Sequence, residues 1–205
     1  MDIIALPMTP FVTNCYVLRE GAAALVVDPG DLTPELLDAI DGYTVKTVVN
    51  THCHCDHCGG NAAVLEHTGA ELVCHEAELP LLHSLERQGM MFGVPFPPSP
   101  EPDRFLNAGD TLEVGSVKLD VRLAPGHSPG HLVLVGDGFV VSGDVLFAGS
   151  IGRTDLPGGN HAQLLDSIRT QLLTLPDDTI VYNGHGPETT IGVERRTNPF
   201  LVGLC

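Results

Sequence analysis

Short apolar runs open the chain, each broken by Gly or Pro: Met1–Leu6, Asn14–Leu18 and Ala24–Asp28. Runs of this length between turn-forming residues predict β-strands. Thr33-Pro34-Glu35 then supplies an N-cap, a proline at the first helical position and an early acid. With Leu36, Leu37 and Ile40 following on one face, a short helix is expected there. The β-branched run Val45–Asn50 predicts another strand, which leads into Thr51-His52-Cys53-His54-Cys55-Asp56-His57-Cys58-Gly59-Gly60. Ala62 to Glu66 reads as helix, with Gly69 as its stop. The polar cluster thus falls on a strand-to-helix loop.

Residues 94–102, Val-Pro-Phe-Pro-Pro-Ser-Pro-Glu-Pro, cannot form helix or central strand, because proline lacks the amide proton and restrains its predecessor. A surface loop or lid is expected, with Phe96 and Met90-Met91 reading equally as core, as surface or as a substrate lid. A second β-rich half follows, with strands predicted at Thr111–Val114, Ser116–Leu123, His131–Val135 and Phe139–Val141. Asn160 is positioned to cap a helix whose Leu164, Leu165, Ile168 and Leu172 lie at helical spacing. The order suggests two similar α/β halves, each a sheet covered by helices, which a four-layer αββα sandwich accommodates.

Composition narrows the class. A length of 205 residues fits a single domain, 1–205, and 43% hydrophobic content supplies a core without disulfides. Ten Lys plus Arg against 26 Asp plus Glu give a net charge of −16, the wrong sign for tracking a phosphate backbone, so no nucleic-acid partner is expected. No run approaches the roughly 18 apolar residues of a membrane span, and Met1-Asp2 does not start a signal peptide. The expectation is a cytoplasmic protein without a membrane partner, whose six cysteines are free thiols.

The polar cluster carries the chemistry. If residues 51–56 continue the strand direction, side chains alternate, placing His52, His54 and Asp56 on one side and Cys53 and Cys55 on the other. His57, at the turn, can reach a second position nearby. Three more candidates sit at strand ends or in Gly-bounded turns: His127 in PGHSPGH, Asp144 in SGD, and His185 in NGHGP. Loops at the ends of rigid strands are where a sheet scaffold builds a site.

Together, THCHCDH, PGHSPGH, SGDVLF and GHGPETT resemble the HxHxDH, His, Asp, His signature of the metallo-β-lactamase superfamily. Asp28-Pro29-Gly30 is similar to its early DPG turn, and GSIGRTDLPGG at 149–159 narrows the resemblance to small glyoxalase II-like hydrolases. The motifs run in family order across nearly the whole chain. The resemblance implies the metallo-β-lactamase fold, with one metal on His52, His54 and His127, a second on Asp56, His57 and His185, and Asp144 bridging both. Asp56 is also the catalytic candidate. Such a donor set suits two divalent ions, Zn²⁺ in the first place, with Fe and Mn tolerating the same ligands.

The implied reaction is hydrolysis of a small-molecule thioester, such as a hydroxyacyl-glutathione, by a metal-bridging hydroxide. A thiolate leaves without prior protonation, since thiol pKa values lie near 8.5. Fuller glyoxalase II enzymes add a C-terminal helical domain with glutathione contacts that this sequence does not show. Two departures count against antibiotic hydrolysis: class B β-lactamases commonly carry Arg at the position of His57 and Cys at that of Asp144. The alternative enzyme is a mononuclear iron persulfide dioxygenase using His52, His127 and Asp144. The Cys-rich segment could instead form a structural zinc site with Cys74, but it lacks paired CxxC knuckles. His67, His75, His83 and His161 are expected at the surface or in caps, and His131 behind the ligands. Arg153 is a candidate anion-binding residue for substrate, weighed against an ion pair that holds its own loop.

Overall fold

The apolar runs form two six-stranded sheets in a computed structural model that describes residues 1–203. The chain divides into two compact units, residues 1–106 with 112–118, and residues 107–111 with 119 onward. In the first sheet β1 (Asp2–Met8), β2 (Thr13–Glu20), β3 (Ala23–Val27), β4 (Thr44–Val49), β5 (Glu71–Cys74) and β6 (Arg104–Phe105) lie in chain order. β1 to β3 form an antiparallel meander, and β3 to β6 pair in parallel. Parallel pairing requires a crossover between strands. Those crossovers are α1 (Pro34–Ile40), then α2 (Cys55–Cys58) with α3 (Asn61–Thr68), then α4 (Leu79–Leu82) with α5 (Leu85–Phe92).

Local sequence accounts for the helix ends. Thr33 Oγ1 accepts from the Leu36 amide, and Gly69 closes α3 at φ 68°, a left-handed position that glycine occupies without strain. Leu36, Ala39, Ile40 and Val64 from α1 and α3 pack on Val17, Val26, Val48 and Leu72 of the sheet.

The second unit holds the strands from Leu119 onward. With β7 (Thr111–Val114), the strands β8 (Val117–Leu123), β9 (Leu132–Gly136), β10 (Phe139–Gly143), β13 (Ile180–Asn183) and β14 (Thr189–Thr190) form the sheet β14-β13-β10-β9-β8-β7. β11 (Leu146–Phe147) and β12 (Ser150–Ile151) make a separate ribbon. Asn160 caps α6 (His161–Ser167) through the Gln163 amide, and α6 continues into a π-helical turn at Ile168–Leu172. Leu164, Ile168 and Leu172 pack on Val133, Val140 and Val181, with Ile191 of α7 (Ile191–Thr197) in the same cluster. Of the helical stripe read from the sequence, Leu164, Ile168 and Leu172 are buried and Leu165 is half-buried.

Several elements exceed the expectation. β5, α4, α5 and α7 had no clear sequence signal: β5 spans four residues, Pro80 and Gly89 interrupt 79–92, and Gly192 interrupts α7. Residues 94–102 are irregular as expected, yet Phe96 is buried with Leu82 and Leu85, so its ring is core rather than lid. Met90 and Met91 are exposed. Among the described residues no helix is long and apolar enough to cross a membrane.

Candidate metal centre

In the first unit the four candidates leave β4 on one loop. β4 ends at Val49, the chain bends at Thr51 and His52, and His54 takes the N-cap position of α2 with ψ 151°, so Asp56 and His57 belong to a helical turn rather than to the alternation expected through residue 56. His52, His54 and His57 still gather: the His52 ring centroid is 4.8 Å from that of His54 and 4.1 Å from that of His57. His57 Nε2 lies 3.5 Å from Asp56 Oδ2. Helical winding after His54 is what carries Asp56 and His57 to the same side as the two preceding histidines.

Asp28 organises this group. It occupies a left-handed position, φ 53°, which aspartate tolerates better than most side chains. Its carboxylate accepts from the Thr51 amide (2.7 Å), the Thr51 hydroxyl (2.6 Å) and His57 Nδ1 (3.1 Å). Thr51 has spent its only hydroxyl proton on Asp28, so His52 Nδ1, 3.1 Å from Thr51 Oγ1, must be the donor in that pair. Both imidazoles therefore carry the proton on Nδ1 and turn the Nε2 lone pair outward from Asp28. Thr13 donates its hydroxyl proton to Asp56 Oδ2 at 2.7 Å. Asp28, Thr13 and Thr51 were not among the sequence candidates; the DPG turn at 28–30 was the available signal for the first.

The second unit assembles His127, Asp144 and His185 from three separate strand ends. Asp144 follows β10, and its Oδ2 lies 3.5 Å from Nε2 of both His127 and His185. That separation exceeds an ordinary hydrogen bond. His127 donates Nδ1–H to the Arg153 carbonyl at 2.7 Å, since a carbonyl only accepts, and again Nε2 is left with its lone pair. His131 accepts the Asp144 amide through Nε2 at 3.0 Å, the supporting position expected for it. Three histidines in tautomers that present Nε2, two of them with a carboxylate oxygen 3.5 Å from that atom, form a donor set that fits divalent cations.

Other candidates fall outside both groups. Arg153 makes a bidentate ion pair with Asp155 (2.7 and 2.8 Å), and that pairing raises its own pKa and lowers Asp155 to about 2. Cys53, Cys55, Cys58 and Cys74 are buried with Leu82, Leu85 and Phe96, and burial pushes the Cys55 and Cys58 thiols up to about 12 and about 11. Among the described residues no three thiols gather closely enough to share an ion. Cys205 lies outside the described residues. His75 caps the short turn at Glu76–Glu78 by accepting from the Ala77 amide, with burial lowering its pKa, and His83 pairs with Glu101.

Comparison with known proteins defines the class. Residues 8–185 match the family model of the metallo-beta-lactamase superfamily, a stretch that runs through both groups of candidates, and the chain belongs to that superfamily of metallo-hydrolases. It is 39% identical to hydroxyacylglutathione hydrolase GloC of Haemophilus influenzae, with 98% of each chain covered, and 40% identical to the probable metallo-hydrolase YqgX of Bacillus subtilis, with 97% of each covered. Among solved structures it resembles BLEG-1, a B3 metallo-beta-lactamase (TM-score 0.91, 37% identity, 98% of this chain and 100% of that one). It also resembles TTHA1623 in a di-iron-bound form (TM-score 0.90, 37% identity, 97% and 100% covered). The fold is thus the metallo-β-lactamase fold read from the motifs.

Proposed function

We propose that the two groups of candidates together hold two divalent ions in a hydrolase of small-molecule thioesters, of which hydroxyacyl-glutathione is the type. His52, His54 and His127 would take one ion, Asp56, His57 and His185 the other, and Asp144 both. The observation that carries the reading is the shared tautomer: Asp28, Thr51 and the Arg153 carbonyl hold the Nδ1 protons of His57, His52 and His127, so each Nε2 is an electron-pair donor. When bound, such ions lower the pKa of water toward neutrality and polarise an acyl carbonyl. The protein's part is to fix the donors: Thr13 restrains the Asp56 carboxylate, and the Asp144 backbone is fixed by His131. A thiolate leaving group asks for no proton from the protein at neutral pH.

The name of the Haemophilus influenzae relative supports the thioester, and the all-nitrogen-and-oxygen donor set supports Zn²⁺, with Fe as the ion of the di-iron relative. Five free, buried cysteines among the described residues agree with a reducing, cytoplasmic setting. The acidic charge supports a small-molecule substrate over nucleic acid.

Elemental analysis and three alanine variants test the reading. About two ions per chain are expected, and replacing Asp56, His57 or His185 with Ala should cut thioester hydrolysis by on the order of 10²-fold or more. Variants that keep one iron and consume oxygen with a persulfide at the parent rate would establish the dioxygenase instead. A β-lactam turned over faster than the thioester would move the assignment to antibiotic hydrolysis.

A further inference from the structure

Three consecutive peptide units run from His52 to Cys55, and each is held by a side chain from the segment between β5 and the proline-rich loop. Glu78, which is fully buried, accepts the Cys53 amide through Oε2 at 2.8 Å. Gln88 of α5 donates from Nε2 to the Cys53 carbonyl at 3.2 Å and accepts the Cys55 amide through Oε1 at 3.0 Å. Gln88 is itself fixed, because Nε2 also donates to the Leu81 carbonyl (2.8 Å) and reaches Ser84 Oγ (3.3 Å). The two side chains therefore restrain the rotations on both sides of Cys53 and His54, which decide where the two imidazoles point.

We propose that Glu78 and Gln88 are positioning residues for the metal ligands, a clamp that sets the angle between His52 and His54 and with it the affinity for the ion they share. This rests on the dinuclear reading above. Loops present ligands imprecisely unless a supporting shell fixes them, and loss of outer partners at metal sites typically costs 10- to 100-fold in affinity. Three hydrogen bonds from two distant side chains to a four-residue stretch, His52 to Cys55, are more than the local turn needs. α2 already begins with its own bond from the His57 amide to the His54 carbonyl.

The probe is cobalt(II), whose visible spectrum reports ligand geometry, bound to the purified full chain. Gln88→Met keeps the length of the side chain and removes both bonds to the loop. Gln88→Glu keeps the acceptor for Cys55 and sets an oxygen against the Cys53 carbonyl. Glu78→Gln keeps an acceptor for Cys53 and serves as the conservative control. Expected results are a 10- to 100-fold weaker cobalt affinity for Gln88→Met in chelator competition, with a changed cobalt spectrum. Gln88→Glu should fall on the same side, and Glu78→Gln should stay within about threefold of the parent. Both measurements are made well below the unfolding temperature of each metal-free variant, so a loss of fold alone does not imitate the result. An affinity and spectrum for both Gln88 variants equal to the parent, whether or not their unfolding temperatures fall, would overturn the clamp and leave the dinuclear reading standing. A parent chain that binds no cobalt, or binds it unaffected by His52→Ala, would overturn both.

Discussion

Four of the seven proposed ligands in the first unit occur within residues 52–57, whereas the three in the second are drawn from positions 127, 144 and 185. The contiguous set leaves its strand as an irregular loop whose own peptide groups need partners, and side chains supply them. Asp28 accepts the Thr51 amide, Glu78 that of Cys53 and Gln88 that of Cys55. The dispersed set combines two kinds of support: the Asp144 amide bonds to the His131 side chain, and elsewhere main chain holds main chain. The Ala124 amide bonds to the His131 carbonyl across the loop that carries His127, and the Gly184 amide bonds to the Gly143 carbonyl beside His185. A cluster that is compact in sequence is thus the one that borrows most support from elsewhere. The scattered cluster draws on main-chain bonds beside its candidates, together with His131 and the Arg153 carbonyl.

The largest expected effect lies at Asp144, the one carboxylate asked to serve both ions. Asp144→Ala should lose bound metal on dialysis and lower thioester turnover by at least about 10²-fold. Its counterpart in the first unit is Asp28→Asn, which removes only the partner of His57 and Thr51 and should cost about 10- to 100-fold in metal affinity. Metal content and turnover of the two variants side by side check the order; a more damaging Asp28→Asn would reverse the roles given to ligand and support.

The two units meet one constraint in common. A Cβ at Gly30 would stand 2.1 Å from the Asp56 carbonyl oxygen, and one at Gly152 would stand 2.0 Å from the Asp144 carbonyl oxygen. In each case the obstacle is backbone, which cannot swing aside, and it belongs to a carboxylate proposed as a ligand. Gly30→Ala and Gly152→Ala should each destabilise the metal-free chain by about 1–3 kcal/mol, read from urea unfolding, the scale of forcing extra atoms into a packed site. A neutral result at either position would show that its loop has slack the present geometry denies.

How much of this was legible in the sequence follows the same division. His52, His54 and His57 could be seen because they crowd one loop, and the caps at Thr33 and Asn160 because short polar side chains precede apolar stripes. Strand-like alternation through Asp56 runs too far along the chain, because the helix already begins at Cys55. The four crowded cysteines invited a zinc site and instead became core, since their burial partners Leu82, Leu85 and Phe96 lie up to 38 residues from the nearest of the loop cysteines. Glu78 and Gln88 were illegible for the same reason. A glutamate and a glutamine in an interrupted helical stretch look like surface until the fold brings the loop against them.

The smallest expected effect concerns the tether of the second group. Arg153 accepts the His127 Nδ1 proton through its carbonyl, and its exposed guanidinium is held by Asp155. The Arg153 hydrogen bond lowers the Asp155 carboxyl from the usual 3.8 to about 2. Because the folded-state pKa lies below the unfolded value, the pair favours the fold above about pH 4, and that contribution disappears as pH falls through about 2. Solvent screens an exposed pair, so the effect is small even where it is fully present. Asp155→Asn should therefore lower the unfolding temperature slightly at pH 7 and leave it unchanged from the parent near pH 2, with both read from thermal scans of metal-free protein. A difference that persists at pH 2 would mean that Asp155 acts through something other than its charge. A variant that loses metal as severely as Asp144→Ala would show that the dispersed group leans on side chains after all, and the contrast between the two units would fail.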